Sequence, residues 1–423
     1  MKKIFKSMLF VGASLTALAC SADEGRAVTS GPTLSFGGSV TGYGVGTNQK
    51  VRIQGNAPAV NFVSKGNLVM SVGGQATNGM TYGAVGVVQF DRAKTGIDRI
   101  SEAYVYGNHD MLGSFKLGDT EGVVSNMMYS GTDVLGGLGG SAGDLDKLIN
   151  LTRAVDFRPS IAPRNDKATK LVWVSPEYKG FQIGLDFTPS TKLRGREGRG
   201  STLNNGATPT MRNNSIAPYS TNLLGGGISY NKAFQKCNFG LYVVGHTGKS
   251  RGDAIAANSG GSQNTYHDTK AWQVGTLVDY QNWQFAASYF DRKKSWIRKQ
   301  AATVDGVAQT NPTSYTNTKG VDLGIGYDFA RNANLGVGYT HTYRDVIGGK
   351  AKADIATLTL DYVVAPGWVA FAELDHFKLR APAQAISPAT GLQTTGVDIY
   401  GDRDGLNGNN HGTVVVIGTK LRF

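Results

Sequence analysis

Alternation with a period of two residues runs through this chain, and the linkers between the alternating runs narrow the fold further. Sixteen runs close in turn chemistry, at 33–45, 60–72, 81–91, 100–108, 113–118, 168–176, 180–189, 222–231, 236–247, 269–280, 282–293, 319–330, 333–344, 352–364, 368–380 and 411–423. Runs 2/3, 4/5, 6/7, 8/9, 10/11, 12/13 and 14/15 are joined by short turns such as "HDM", "KAFQ", the single Gln281, and "AP" before Gly367. The other links are mostly long: 46–59, 119–167, 190–221, 248–268, 294–318 and 381–410, with shorter ones at 92–99 and 345–351. Short and long links alternate in strict phase. An even number of antiparallel strands with short turns at one rim and long loops at the other is the arrangement of an outer-membrane β-barrel. Both chain ends then fall at the short-turn, periplasmic rim. Structureless loops of such length argue against a compact soluble domain.

Parity separates two faces. Run 12 sets Val321, Leu323, Ile325, Tyr327 and Phe329 against Asp322, Gly324, Gly326 and Asp328. Run 13 sets Leu335, Val337, Tyr339 and His341 against Asn334, Gly336, Gly338, Thr340 and Thr342, and run 7 sets Phe181, Ile183, Leu185 and Phe187 against Gln182 and Asp186. The apolar set is expected to face lipid, and the second face reads as polar or small. Aromatics near run ends (Tyr230, Tyr280, Trp283, Tyr327, Tyr362, Trp368) suit interfacial girdles. With sixteen strands and a polar interior, the lumen is expected to hold water. The mean hydropathy of −0.22 fits, because alternation averages out the apolar face. Glycine is the unusual residue, with 58 copies in 423 residues, about twice its average share of roughly 7%.

Residues 1–22 read as a secretory signal: Lys2, Lys3 and Lys6 precede the apolar "MLFVGASLTALA", with small residues at Ala17 and Ala19. Cleavage would lower the formal charge from +12 to +9, leaving 23–423 as the barrel. Cys20 lies at the cleavage region, where "ALAC" also resembles a lipoprotein signal, and Cys237 at the start of a strand, so no internal disulfide is expected. No later stretch is apolar enough for a transmembrane helix. "GHTGKS" (245–250) lacks the first glycine of a phosphate-binding loop, since position 243 is Val. "RGD" (251–253) is only a three-residue match in a long loop. The basic run "KLRGREGRG" (192–200) has no aromatics and suits lipopolysaccharide phosphates or plain solvation rather than nucleic acid. The six histidines form no ligand cluster, and no cofactor or metal motif appears.

Two stretches resemble the Gram-negative general porins. "EAYVYGNHDMLGSFKLGD" (102–119) matches in Ala103, Tyr104, Val105 and Leu112 to Gly118, and "RNDKATKLVWVSPEYKGFQIGLDF" in Arg164, Asn165, Ser175, Pro176, Gly180 and Phe181. A final strand ending in Phe is shared too. Asp119 replaces the family's usual Arg at the base of the third loop, and Trp173 stands near its Tyr. The resemblance implies an all-β, sixteen-stranded antiparallel transmembrane barrel, usually a homotrimer, with the third long loop, here 119–167, folded into the lumen.

That loop carries Asp119, Glu121, Asp133, Asp144, Asp146, Asp156 and Asp166 against Lys147, Arg153, Arg158 and Arg164. Acids facing a basic wall would create a transverse field that favours polar solutes. The wall candidates with lumen parity are Lys65, Lys116, Lys170, Lys420 and Arg422, with Glu373 and Asp375 as a carboxylate pair tuning ion selectivity. The expected function is an outer-membrane porin for passive diffusion of ions and small hydrophilic solutes, not an enzyme. A solute-specific channel, and an adhesin or structural barrel, are the rivals. Outer-membrane lipid and lipopolysaccharide are expected partners. In this family the terminal aromatic, here Phe423, resembles the signal read by the barrel-assembly machinery.

Overall fold

The computed structural model describes residues 28–50, 59–90, 100–150, 156–163, 166–191, 219–251, 267–295, 303–304, 307–308, 318–330, 332–346, 349–380 and 409–423. The expected signal segment, Cys20, Arg153, Arg164, Asn165, the basic run 192–200, and Gly252 and Asp253 of the RGD triplet lie outside the described residues.

Sixteen strands close into one antiparallel barrel, each paired with its neighbours in sequence. They are β1 (Val28–Gln49), β2 (Val60–Ala76), β3 (Thr81–Gln89), β4 (Ile100–His109), β5 (Gly113–Asp119), β6 (Thr169–Val174), β7 (Phe181–Ser190) and β8 (Tyr219–Ala233). β9 (Cys237–Arg251), β10 (Thr269–Tyr280), β11 (Trp283–Asp291), β12 (Lys319–Ala330), β13 (Ala333–Val346), β14 (Gly349–Ala365), β15 (Trp368–Arg380) and β16 (Asn410–Arg422) complete it. β16 closes on β1, from Ser39 opposite Arg422 to Gln49 opposite Gly412, so the sheet has no free edge.

Tight turns form one rim. Gly79 and Gly367 adopt the left-handed conformation there, with φ of 82° and 81°. The β10–β11 turn holds two residues, Gln281 and Asn282, rather than Gln281 alone, because the Tyr280–Trp283 pair ends the ladder. Outside the barrel, Thr303–Val304 and Val307–Ala308 form a small hairpin that period-two reading did not separate from its long loop.

Parity sorts the faces as expected: Leu185, Leu323, Ile325, Val337 and Leu358 are exposed around the outside. Every backbone group of a closed sheet is paired between strands, which lets it cross hydrocarbon. The inner face departs from the expectation of a polar or small-residue surface. Val414 and Val416 of β16, and Phe371 and Phe377 of β15, point inward and are buried with Leu145, Ile149 and Phe157. Leu138, Leu148 and these three residues, all from the segment between β5 and β6, cover them. Within that segment are helix α1 (Val123–Met127), a 3-10 turn at Gly131–Val134, another at Gly140–Ala142, and helix α2 (Leu145–Leu148).

Candidate channel interior

The segment that joins β5 to β6 directs its backbone donors into the barrel wall. At its start, the Gly122 N–H donates to Asp166 (3.3 Å) and the Val123 N–H to Asp186 of β7 (2.7 Å). Val123, Val124 and Met127 of α1 bury their side chains against Val172, Tyr242 and Val244. Next, the Gly131 N–H donates to Asp322 of β12, whose other carboxylate oxygen accepts from Ser288 of β11. Gly136 donates to Thr359 Oγ1 (2.9 Å) and Gly137 to Asp361 Oδ1 (2.6 Å), both on β14. The Leu138 and Gly139 N–H groups share one oxygen of Glu373 on β15, at 2.7 and 3.1 Å.

The chain then reaches the closing strands. Asp144 accepts from Lys65 of β2, from Tyr43 Oη of β1 (3.1 Å), and from Lys147 (2.8 Å). Asn150 donates its N–H to Gln49 (2.9 Å) and accepts from Asn410 Nδ2 (2.9 Å). On the way back, Asp156 pairs with Arg292 (3.0 Å), and the Ile161 N–H donates to Gln273 of β10 (3.2 Å). All these wall contacts use the face opposite the exposed apolar belt. A single segment that meets β7, β12, β14, β15, β2 and β10 in turn lies inside the barrel.

Glycines on the inner face make room for it. A Cβ on Gly324 of β12 would come within 1.8 Å of the Gly131 carbonyl oxygen, and one on Gly184 of β7 within 2.7 Å of Val123. Neither contact can be made without moving backbone or a packed side chain.

The acids of this segment differ in what they do. Asp133 caps its own 3-10 turn, accepting from the Ser130 N–H (2.6 Å) and hydroxyl (3.0 Å). Desolvation of its carboxyl raises its pKa, and the Ser130 bonds only partly oppose that. Burial also opposes ionisation of Asp144, but the hydrogen bonds from Lys147 and Lys65 outweigh it and hold its pKa down at about 2. Burial raises the pKa of Asp146, with Arg158 (3.8 Å) pulling the other way. Burial works against the Lys167 ammonium, yet Glu121 (3.4 Å) and Glu102 (2.6 Å) outweigh it and raise its pKa. Asp156 is held between Arg158 (3.2 Å) and Arg292.

Four expectations for single residues change. Asp119 shares the outward parity of Phe115 and Leu117 and accepts from Thr169 on β6, so it does not face the lumen. Glu373 faces inward as expected, but it is buried and holds the loop backbone instead of meeting water. Asp375 is buried beside it and accepts from Thr357 (2.6 Å). On the basic side, Lys170 is buried against Asp166 (3.0 Å). Lys65, Lys116 and Lys420 keep lumen parity, with Lys116 over the Tyr104 ring (5.4 Å) and Lys420 over the Phe371 ring (5.8 Å). Arg422 shares their parity and is exposed at the short-turn rim. Reading the sequence had missed Asp186, Asp322 and Asp361 as anchors. Their signal was present: each is an inward acid, and Asp186 and Asp322 stand two residues from an inward glycine.

A family model described as Gram-negative porin matches residues 9–382. An uncharacterized protein of Rickettsia felis is 26% identical over 293 residues, which is 62% of this chain and 58% of that protein. One of Rickettsia typhi is 25% identical over 286 residues, with the same shares. The chain thus spans somewhat under three-fifths of the length of these curated relatives. Among solved structures, an anion-selective porin from Comamonas acidovorans superposes with a TM-score of 0.56 at 13% identity, over 93% of this chain and 100% of that one. The trimer form of OmpT, an outer membrane protein of Vibrio cholerae, gives 0.52 at 10% identity, over 93% and 99%. At such identities the likeness is one of fold.

Proposed function

This chain belongs to the Gram-negative porin family, and we propose that its barrel is an outer-membrane channel for passive diffusion of ions and small hydrophilic solutes. The observation that carries this reading is the segment 120–166, tied across the interior of a closed sixteen-stranded barrel. A barrel of that size is wide enough for water, and an inner segment leaves it narrowed rather than filled. The open passage runs between this segment and the inner faces of β3–β5, with Lys65 of β2 and Lys420 of β16, both bonded to the segment, at its margins. Lys116, Lys420 and Arg422 form its basic side, while Lys65 is neutralised by its ion pair with Asp144. Glu121 and Asp146 form the acidic side of the constriction, and Asp133, Asp144 and Asp156 hold the loop's shape. The opposed charges orient polar solutes and disfavour apolar ones, which gain nothing in exchange for displaced water.

Planar-bilayer recording of the purified, folded barrel tests this, with stepwise, ohmic conductance as the expected result. Absence of any channel from folded protein would refute it. The finer reading includes a homotrimer, in line with the trimer form of the Vibrio cholerae neighbour, and export through a cleaved segment 1–22. Lipopolysaccharide is the expected outer-leaflet partner. Phe423 serves as the recognition signal for barrel assembly. It exchanges two backbone bonds with Gly38, at 2.9 and 3.1 Å, which places it at the β1–β16 seam.

A further inference from the structure

Lys116 of β5 stands apart from the other lysines inside the barrel. Lys65 pairs with Asp144, Lys170 with Asp166 (3.0 Å), and Lys167 with Glu102 (2.6 Å) and Glu121 (3.4 Å). Lys420 bonds the Gly137 carbonyl (3.4 Å). Lys116 meets no acid within salt-bridge distance among the described residues, and its ammonium sits over the Tyr104 ring at 5.4 Å. Glu102 and Glu121 are the acids of that neighbourhood, and Lys167 already engages both. An inward ammonium without a paired counter-charge favours a solute that brings one.

Beside it the wall is flat and aromatic. In the ladder Lys116 stands opposite Tyr106 of β4, and Tyr106 opposite Gly83 of β3. The phenol lies along the wall over that glycine. A Cβ on Gly83 would meet Tyr106 Oη at 2.7 Å and Cζ at 2.8 Å, and one on Gly73 of β2 would meet Oη at 2.9 Å. Two missing side chains thus let the ring lie across β3 toward β2, partly exposed, instead of standing out into the passage. Ser71 precedes Gly73 on the same inner face and is partly exposed too, and its hydroxyl makes no hydrogen bond among the described residues. The register sets Ser71 level with Tyr104, two strands away, with Val85 between them. At a strand spacing of about 4.8 Å, the ammonium over Tyr104 and the Ser71 hydroxyl are about 10 Å apart, with the Tyr106 ring beside the line between them.

We propose that Lys116, Tyr106 and Ser71 form a binding site for a monosaccharide that bears a carboxylate, near the β4–β5 turn and thus on the short-turn side of the constriction. A sugar ring spans that gap once a hydrogen bond of about 2.8 Å is added at each end. The carboxylate meets the Lys116 ammonium, the apolar C–H face of the sugar lies on the phenol, and a hydroxyl at the far edge pairs with Ser71. An aromatic acid would use the ring and the ammonium but leave Ser71 without a partner. A small inorganic anion would use the ammonium alone. The inference rests on the channel reading and narrows it, from small hydrophilic solutes in general to a preferred class among them.

The test titrates full-length barrel in detergent, by calorimetry, with D-glucuronate, glucose, acetate and benzoate. Glucuronate should bind wild type more tightly than the other three. A charge-assisted hydrogen bond contributes about tenfold, so Lys116→Gln should bind glucuronate about tenfold more weakly and leave glucose unaffected. Tyr106→Leu, which removes the aromatic face, should weaken both sugars about fivefold. A methyl in Gly73→Ala would meet Tyr106 Oη at 2.9 Å and no backbone atom closer than 3.5 Å. It should lift the ring and weaken both sugars by a similar factor while Lys116 stays in place. Glucuronate affinity unchanged in Lys116→Gln and Tyr106→Leu alike would overturn the proposal. So would acetate competing as well as glucuronate, which would mark a plain anion site. Benzoate binding more tightly than glucuronate would assign the ring to aromatic acids and also overturn it. Should Tyr106→Leu fail to fold, Gly73→Ala decides the part played by the ring. Single-channel conductance without solute is recorded on the same preparations in planar bilayers. Its absence from wild type would refute the channel reading, while the titrations still decide the site.

Discussion

Gly324 shows how little space separates the inner segment from the wall. A methyl group there would come within 1.8 Å of the Gly131 carbonyl oxygen. We expect Gly324→Val to displace the 3-10 turn at Gly131–Val134, lower stability by about 1–3 kcal/mol in thermal melts, and raise single-channel conductance. Unchanged conductance with a lowered melting temperature would show that the turn stays in place and the strand yields instead. Asp144 is the second residue of consequence. Its pKa is depressed to about 2 in the folded chain, whereas an unfolded Asp titrates near 3.9. The stabilisation it supplies is therefore fully present above pH ~4 and is lost as the pH falls toward about 2. That difference corresponds to roughly 2 kcal/mol of loop anchoring. Protease sensitivity of the segment around Asp144, followed between these pH values, should rise as wild type is acidified. Asp144→Asn should be sensitive already at neutral pH and nearly flat across that window.

At the level of elements, the strands were legible in the residues, whereas the inward segment was expected only from the resemblance and its turns and anchors were not legible. Lipid demands an apolar outer face, and a sheet can supply one only at every second residue. Leu323, Ile325 and Val337 therefore announced their own orientation. The inner face is under no comparable demand. Phe371, Phe377, Val414 and Val416 sit there because Leu145, Ile149 and Phe157 cover them, and that cover comes from far away in sequence. The same distance hid the anchors: Asp361 and Gly137 are separated by 224 positions. Helices of four and five residues leave too short a periodicity to detect. Asp119 was misplaced because the β5 ladder runs to the end of the strand and keeps the parity of Phe115 and Leu117. The terminal strand carries its own prediction. Deleting Phe423 removes its two bonds to Gly38 at the seam and should lower the amount of barrel inserted in the outer membrane, scored by surface labelling. Conductance of the molecules that do insert should be unchanged.

For the whole molecule, the distribution of charge matters more than its sum. Inward acids on β7, β12, β14 and β15 are bound to loop N–H groups, while Lys116, Lys420 and Arg422 stand on the side where the passage is proposed. Replacing Lys116 and Lys420 with Glu should shift the reversal potential in a KCl gradient toward cation preference. An unmoved potential would place the ion path elsewhere. The anchors have a further consequence, for barrel size. They come from β2, β7, β12, β14 and β15, around nearly the whole circumference, yet one chain segment of fixed length must satisfy them all. Diameter grows with strand number. Lengthening or shortening the sheet by a hairpin would carry Lys65 and Glu373 to the wrong separation, and some of the loop's donors would be left without acceptors. The segment therefore measures the barrel as well as narrowing it, because its anchors are matched to the circumference of these sixteen strands.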